Sequence, residues 1–130
     1  MIPPTPHDHF AHGIRLFNSH RFWHAHEAWE AIWLTAPEPD KTFLQGIIQI
    51  SAAFYHHQKN NFEGMRSLMR RGLAKVEAFP EDYRGIHLEQ LRKAVREWLA
   101  ADARRGALPR SYPRLRPAGK TKAAGKRANP

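Results

Sequence analysis

Phe22-Trp23-His24-Ala25-His26-Glu27-Ala28-Trp29-Glu30-Ala31-Ile32-Trp33 and Phe43-Leu44-Gln45-Gly46-Ile47-Ile48-Gln49-Ile50-Ser51-Ala52-Ala53-Phe54-Tyr55-His56-His57 decide the fold of this chain. At about 100° per residue, Phe22, Ala25, His26, Trp29 and Trp33 share one face of a first helix, with Glu30 and Trp23 on its flank. In the second stretch Ile47, Ile48, Ile50 and Phe54 cover most of the circumference. Gln45, Gln49, Ala52 and His56 leave one polar stripe, and Gly46, Ala52 and Ala53 permit close approach of a neighbour. A helix apolar on nearly all sides is a central helix. Its polar stripe wants a polar partner, and His26 with Glu30 is the natural one.

Working outward, Thr5-Pro6 reads as a helix start, with Thr as cap and Pro in the first helical position. Phe10, Ile14 and Phe17 give the helix from about His7 to Phe17 one buried face, and Asn18 stops it. The helix of the first quoted stretch runs from about His20 to Thr35, where Pro37 and Pro39 end it. Asp40 is positioned to cap the central helix, which spans about 41–59. Asn60-Asn61 closes that helix and caps the next, whose stripe of Met65, Leu68, Met69, Leu73 and Val76 opposes Arg66, Arg70, Arg71 and Lys75. Pro80 ends it, residues 81–85 connect, and a last helix runs from Ile86 to about Arg105 with Leu88, Leu91, Val95, Trp98 and Leu99 inward. No alternating β-branched run occurs. The expectation is an all-α bundle of about five helices forming a single domain over residues 1–108. Residues 109–130, rich in Pro, Gly, Ala, Lys and Arg, are expected to be a disordered basic tail.

The 130 residues, 42% of them hydrophobic, suit one core. The formal charge of +9 is concentrated: Arg110, Arg114, Arg116, Lys120, Lys122, Lys126 and Arg127 follow Pro109 with no acidic residue among them. The body therefore carries only a slight positive excess, and nucleic-acid or other polyanion contact is expected to be nonspecific and to run through the tail. There is no run of about 18 apolar residues and no secretory leader pattern, so no membrane contact and a cytoplasmic location are expected. With no cysteine, any metal would be held by nitrogen and oxygen alone.

His26-Glu27-Ala28-Trp29-Glu30 overlaps the start of the H-E-x-x-H pattern, with Glu30 in the second ligand position. One reading joins His26, Glu30, Gln45, Gln49 and His56 in a buried hydrogen-bonded network that fixes helix register. The other places a divalent metal on His26, Glu30 and His56 or Gln49. Glu27, on the rim, is the candidate general base, although a solvated flank residue has the same signature. One member of each pair His24/His26 and His56/His57 should be exposed. The four tryptophans read as core anchors.

These residues also carry a resemblance. Phe17-Asn18-x-x-x-Phe22-x-x-Ala25-His26-Glu27-x-x-Glu30-x-x-Trp33, then Phe43-Leu44-Gln45-Gly46-Ile47-Ile48-Gln49, then Tyr55-His56 with Asn61 and Gly64, and more loosely Tyr83-x-Gly85, resemble the small helical family catalogued as domain of unknown function 309. The resemblance runs from about Phe10 to Leu99, implies an all-helical fold and assigns no activity. The basic tail lies outside the family pattern. No nucleophile, phosphate loop or second complete ligand set is visible. The functional expectation is a non-enzymatic binding or scaffold module, with a metal-dependent, hydrolase-like enzyme as the alternative.

Overall fold

Thr5 and Asp8 cap each other's backbone N–H groups, and Pro6 takes the first helical position of α1 (Pro6–Asn18), as the sequence predicts. The structure, a computed structural model, describes residues 2–119. His20 adopts a left-handed φ of 65°, and the Arg21 N–H returns to the Leu16 carbonyl. That closure postpones α2 (Phe22–Trp33) by two residues relative to the expected start at His20. The Glu38–Pro39 peptide bond is cis. Pro39, not Asp40, stands at the N-cap of α3 (Asp40–Gln58), and Glu38 just before it accepts from the N–H and hydroxyl of Thr42 in the first turn at 3.0 and 2.7 Å. Asp40 instead accepts the Tyr83 hydroxyl, whose pKa burial and this bond push up to about 12. Asn60, also left-handed at φ 61°, ends α3, and the Asn61 side chain caps α4 (Phe62–Val76) through Gly64 N–H.

The all-α architecture holds, with α3 at its centre between α2 and α4, and α1 laid along α2. Gly46, Ile47, Ile50 and Phe54 are buried as expected. The two glycines Gly46 and Gly72 let α3 and α4 touch backbone to backbone. A Cβ on Gly46 would lie 2.6 Å from Val76 Cγ1, and one on Gly72 only 2.7 Å from the Gly46 carbonyl oxygen. Aromatic rings from four elements, Phe17, Phe22, Phe54 and Trp98, meet around the C-terminal half of α3, edge to face except for the tilted Phe22–Phe54 pair.

Between α4 and α5 (Leu88–Ala103) the chain makes a small antiparallel hairpin, β1 (Asp82–Tyr83) with β2 (Ile86–His87). Its two turn residues, Arg84 and Gly85, both have positive φ, the tight hairpin turn that matches strand twist. Ile86 and His87 therefore belong to a strand, and α5 starts at Leu88. Two-residue strands are too short to leave an alternating pattern. At the far end of the hairpin side, the buried Arg92 of α5 donates to the carbonyls of Val76 and Phe79.

The expectation of a disordered tail from residue 109 is corrected for its first part. Residues 109–119 pack on the body, while residues 120–130 lie outside the described residues. Leu115 is 3% exposed, and Asn18 grips its backbone in both directions, at 2.7 and 3.1 Å. The His87 N–H donates to the Arg116 carbonyl and the Ala118 N–H to that of Gly85, so the segment meets the hairpin in an isolated antiparallel bridge between Ile86 and Pro117. Tyr112 stacks parallel to Trp98 and contacts Phe22 and Phe54. Composition hid this segment because its anchors are single residues, not a periodic stripe.

The Tyr112 hydroxyl lies 2.6 Å from His57 Nδ1. Burial lowers the His57 pKa below its ordinary 6.5 and raises that of Tyr112 above 10. The folded state thus resists protonating His57 more than the unfolded chain does. Stability should fall as pH drops below about 6.5, because the unfolded state then binds the extra proton. Thermal denaturation from pH 7.5 to 5 should show a shallower decline for His57→Gln than for the parent chain; parallel curves would remove His57 from this role.

Candidate functional site

His26 and Glu30 stand one turn apart on α2, with His26 Nε2 3.7 Å from Glu30 Oε2. The His26 side chain is 16% exposed and that of Glu30 51%. The Trp23 indole stacks on the His26 ring at 4.6 Å and lies 5.1 Å from the Tyr55 ring of α3. Lys59 Nζ sits 5.6 Å from the Tyr55 ring centre. At the other end of the seam, Lys41 Nζ lies 4.6 Å over Trp33 and donates to the Leu34 carbonyl. One face along the α2–α3 seam thus combines open rings, two ammonium groups and a histidine–carboxylate pair. Trp23 is 42% exposed and Leu34 64%.

Two donors or acceptors beneath this face are buried and unmatched. His26 Nδ1 and Trp33 Nε1 have no hydrogen-bond partner among the described residues. Each such group costs about 1–3 kcal/mol in a folded protein. Trp29, by contrast, is fully buried and its Nε1 donates to the Phe10 carbonyl at 3.1 Å.

The five-residue network expected from the sequence does not assemble. Gln49 Oε1 accepts from Lys75 Nζ of α4 at 3.0 Å. His56 Nδ1 meets the Asn61 side-chain amide at 3.1 Å and lines a cleft with Gly64, Ser67 and Arg71 of α4. Gln45 is partly buried and makes no hydrogen bond to His26 or Glu30. The reason is angular. α3 meets α2 through Ser51, whose hydroxyl donates to the Phe22 carbonyl, and Tyr55. That line lies about 100° round the helix from Gln45, Gln49 and His56. The residues named for a metal, His26, Glu30 and His56, are likewise split between two faces of α3. Among the described residues no group of three or more His, Asp or Glu is placed to hold a metal ion.

Glu27 is exposed, as a solvated flank residue is, and lines a cleft of about 450 Å³ with His9, His12, Arg21 and His24, a lining that includes neither His26 nor Trp23. Other expectations need adjustment. Of the tryptophans, Trp29 and Trp98 are core anchors, whereas Trp23 is surface and Trp33 half-buried. Both His56 and His57 are partly covered, His57 by the C-terminal segment. Tyr55, Lys41 and Lys59 complete the seam. Their signal was present in the α3 spacing 41, 48, 55 and 59, but only the position of α2 shows which side of α3 matters.

Residues 10–68 match the model of a family described as a domain of unknown function (DUF309). The match takes in all of α2 and α3 and hence the whole seam. An uncharacterized protein of Aquifex aeolicus (strain VF5) is 27% identical over 84 residues, which is 64% of this chain and 25% of that protein. The matched stretch is therefore about a quarter of that longer relative. No helix among the described residues is long and apolar enough to cross a membrane.

Proposed function

We propose that this chain is a non-enzymatic binding module whose α2–α3 seam recognises another polypeptide segment. The observation that carries this reading is the pairing of an open indole, Trp23, with a covered imidazole beneath it whose Nδ1 has no partner among the described residues. An aromatic anchor beside an unmatched polar atom is the composition of an interface hot spot, in which a partner supplies both apolar contact and the missing hydrogen bond. The size of the relative supports a module: a helical unit that recurs within a longer chain needs a face for other polypeptide. The alternative, a metal-dependent hydrolase, would need a third protein ligand beside His26 and Glu30.

The two readings separate on a stability measurement. Residues kept for binding are frequently poor for stability, and a leucine at position 26 would remove the unmatched Nδ1 while filling the same space. His26→Leu is expected to leave stability unchanged or raise it by about 1 kcal/mol, a few degrees in Tm. Thermal unfolding with metal analysis of the purified proteins checks this. A loss above about 2 kcal/mol would make His26 a structural residue, and one equivalent of metal lost with the imidazole would favour the enzyme.

A further inference from the structure

A second site sits at the far side of the molecule, where α4 faces the end of α5. Phe62, Arg66, Arg70, Asp102, Arg105 and Leu108 line a cleft of about 580 Å³. Its single carboxylate is already committed: Asp102 receives two parallel bonds from Arg66, one of them 3.2 Å long, and these hold its pKa below the ordinary carboxylate value. Glu63 lies near Arg66 but lines the neighbouring cleft. The side chains of Arg70 and Arg105 are exposed and form no hydrogen bond or ion pair among the described residues, although the Arg70 charge is near enough to help lower the Asp102 pKa. From Ala103 to the C-terminus the sequence has no acidic residue.

The backbone at Arg105 adds an independent observation. α5 ends in a closing turn, in which Gly106 N–H returns to the Ala101 carbonyl and Arg105 N–H to that of Asp102. The left-handed residue of this turn, normally glycine, is Arg105 at φ 55°. The adjacent Gly106 carries no positive φ. An arginine therefore occupies the one position where glycine is easiest, and that arginine is among the residues lining the cleft. Phe62, 41% exposed, supplies a ring at the rim.

We infer that this cleft binds a nucleotide, its phosphate held between Arg70 and Arg105 and its base against Phe62. Arginine forks suit phosphate oxygens, and a phenyl ring accepts any base, so the site should select for phosphate and ring rather than sequence. The nucleotide unit can come free or within a single strand. Isothermal titration of the full chain with adenosine monophosphate, inorganic phosphate and a short oligothymidylate distinguishes these sources. Saturable binding of the mononucleotide is expected, at least fivefold tighter than inorganic phosphate, and weakened at least fivefold in both Arg70→Gln and Arg105→Gly. Arg105→Gly should also melt at or above the parent temperature, which separates lost binding from lost folding. Mononucleotide affinity equal to that of phosphate would overturn the base contact. Undiminished binding in both variants, or oligothymidylate as the sole ligand with unchanged affinity in Arg105→Gly, would move anion binding away from this cleft and overturn the inference.

Discussion

A chain ending at Leu108 is expected to lose roughly 4–6 kcal/mol of stability, whereas one ending at Gly119 keeps every contact described above. The estimate rests on two residues. Leu115 is almost wholly buried, and deleting a buried leucine commonly costs about 2–5 kcal/mol. Tyr112 covers Phe22, Phe54 and Trp98, and its loss would open those rings to water and strip His57 of its partner. The Asn18 amide would lose both bonds to Leu115. Since domains of this size have about 5–15 kcal/mol in total, the shorter chain should be near its folding limit at 37 °C. Urea unfolding of the two truncations against the full chain measures the difference. A loss below about 1 kcal/mol for the Leu108 truncation would mean that residues 109–119 merely rest on the helices.

Arg92→Leu is expected to cost about 3 kcal/mol, although leucine would be welcome on an inward position of α5. Arg92 is 5% exposed, and one guanidinium nitrogen donates to the Val76 and Phe79 carbonyls at 2.8 and 2.7 Å, while Nε donates to Glu89. Those carbonyls belong to the end of α4 and the turn after it, where the regular helical donors run out. Removing the guanidinium leaves the Val76 carbonyl with the Phe79 N–H alone, at 3.2 Å, deprives the Phe79 carbonyl of its donor, and leaves Glu89 with Arg96 alone of its two arginine partners. Arg92→Lys restores the charge but not the fork, so it should recover less than half of the loss. Urea midpoints of the three proteins test this, and a leucine variant as stable as the parent would show that the carbonyls find other donors.

The helices were legible because each has a period, a cap or a proline boundary: Thr5-Pro6, Asn60-Asn61 and Pro37 mark their ends, and the burial of α3 follows from apolar residues on every side. What escaped was carried by single residues acting across long sequence distances. Tyr112 and Leu115 have no periodicity to announce them, and the left-handed His20 and Arg105 mark helix ends without the glycine that normally signals them. The candidate site was half legible. His26 and Glu30 do share a face, but their partners on α3 depend on which side of a nearly uniform cylinder α2 occupies, and polarity alone pointed to Gln45, Gln49 and His56. The packing placed Tyr55 there instead, and turned Gln49 to Lys75 of α4.

The most direct test of the proposed recognition face is photocrosslinking in the native host, with a benzophenone amino acid at position 23 and, as control, at the exposed Lys93 of α5. The expected result is one discrete polypeptide adduct from position 23, absent from position 93 and lost when His26→Leu is added. No adduct at position 23, or the same adducts from both positions, would contradict the assignment of the α2–α3 seam as a binding surface.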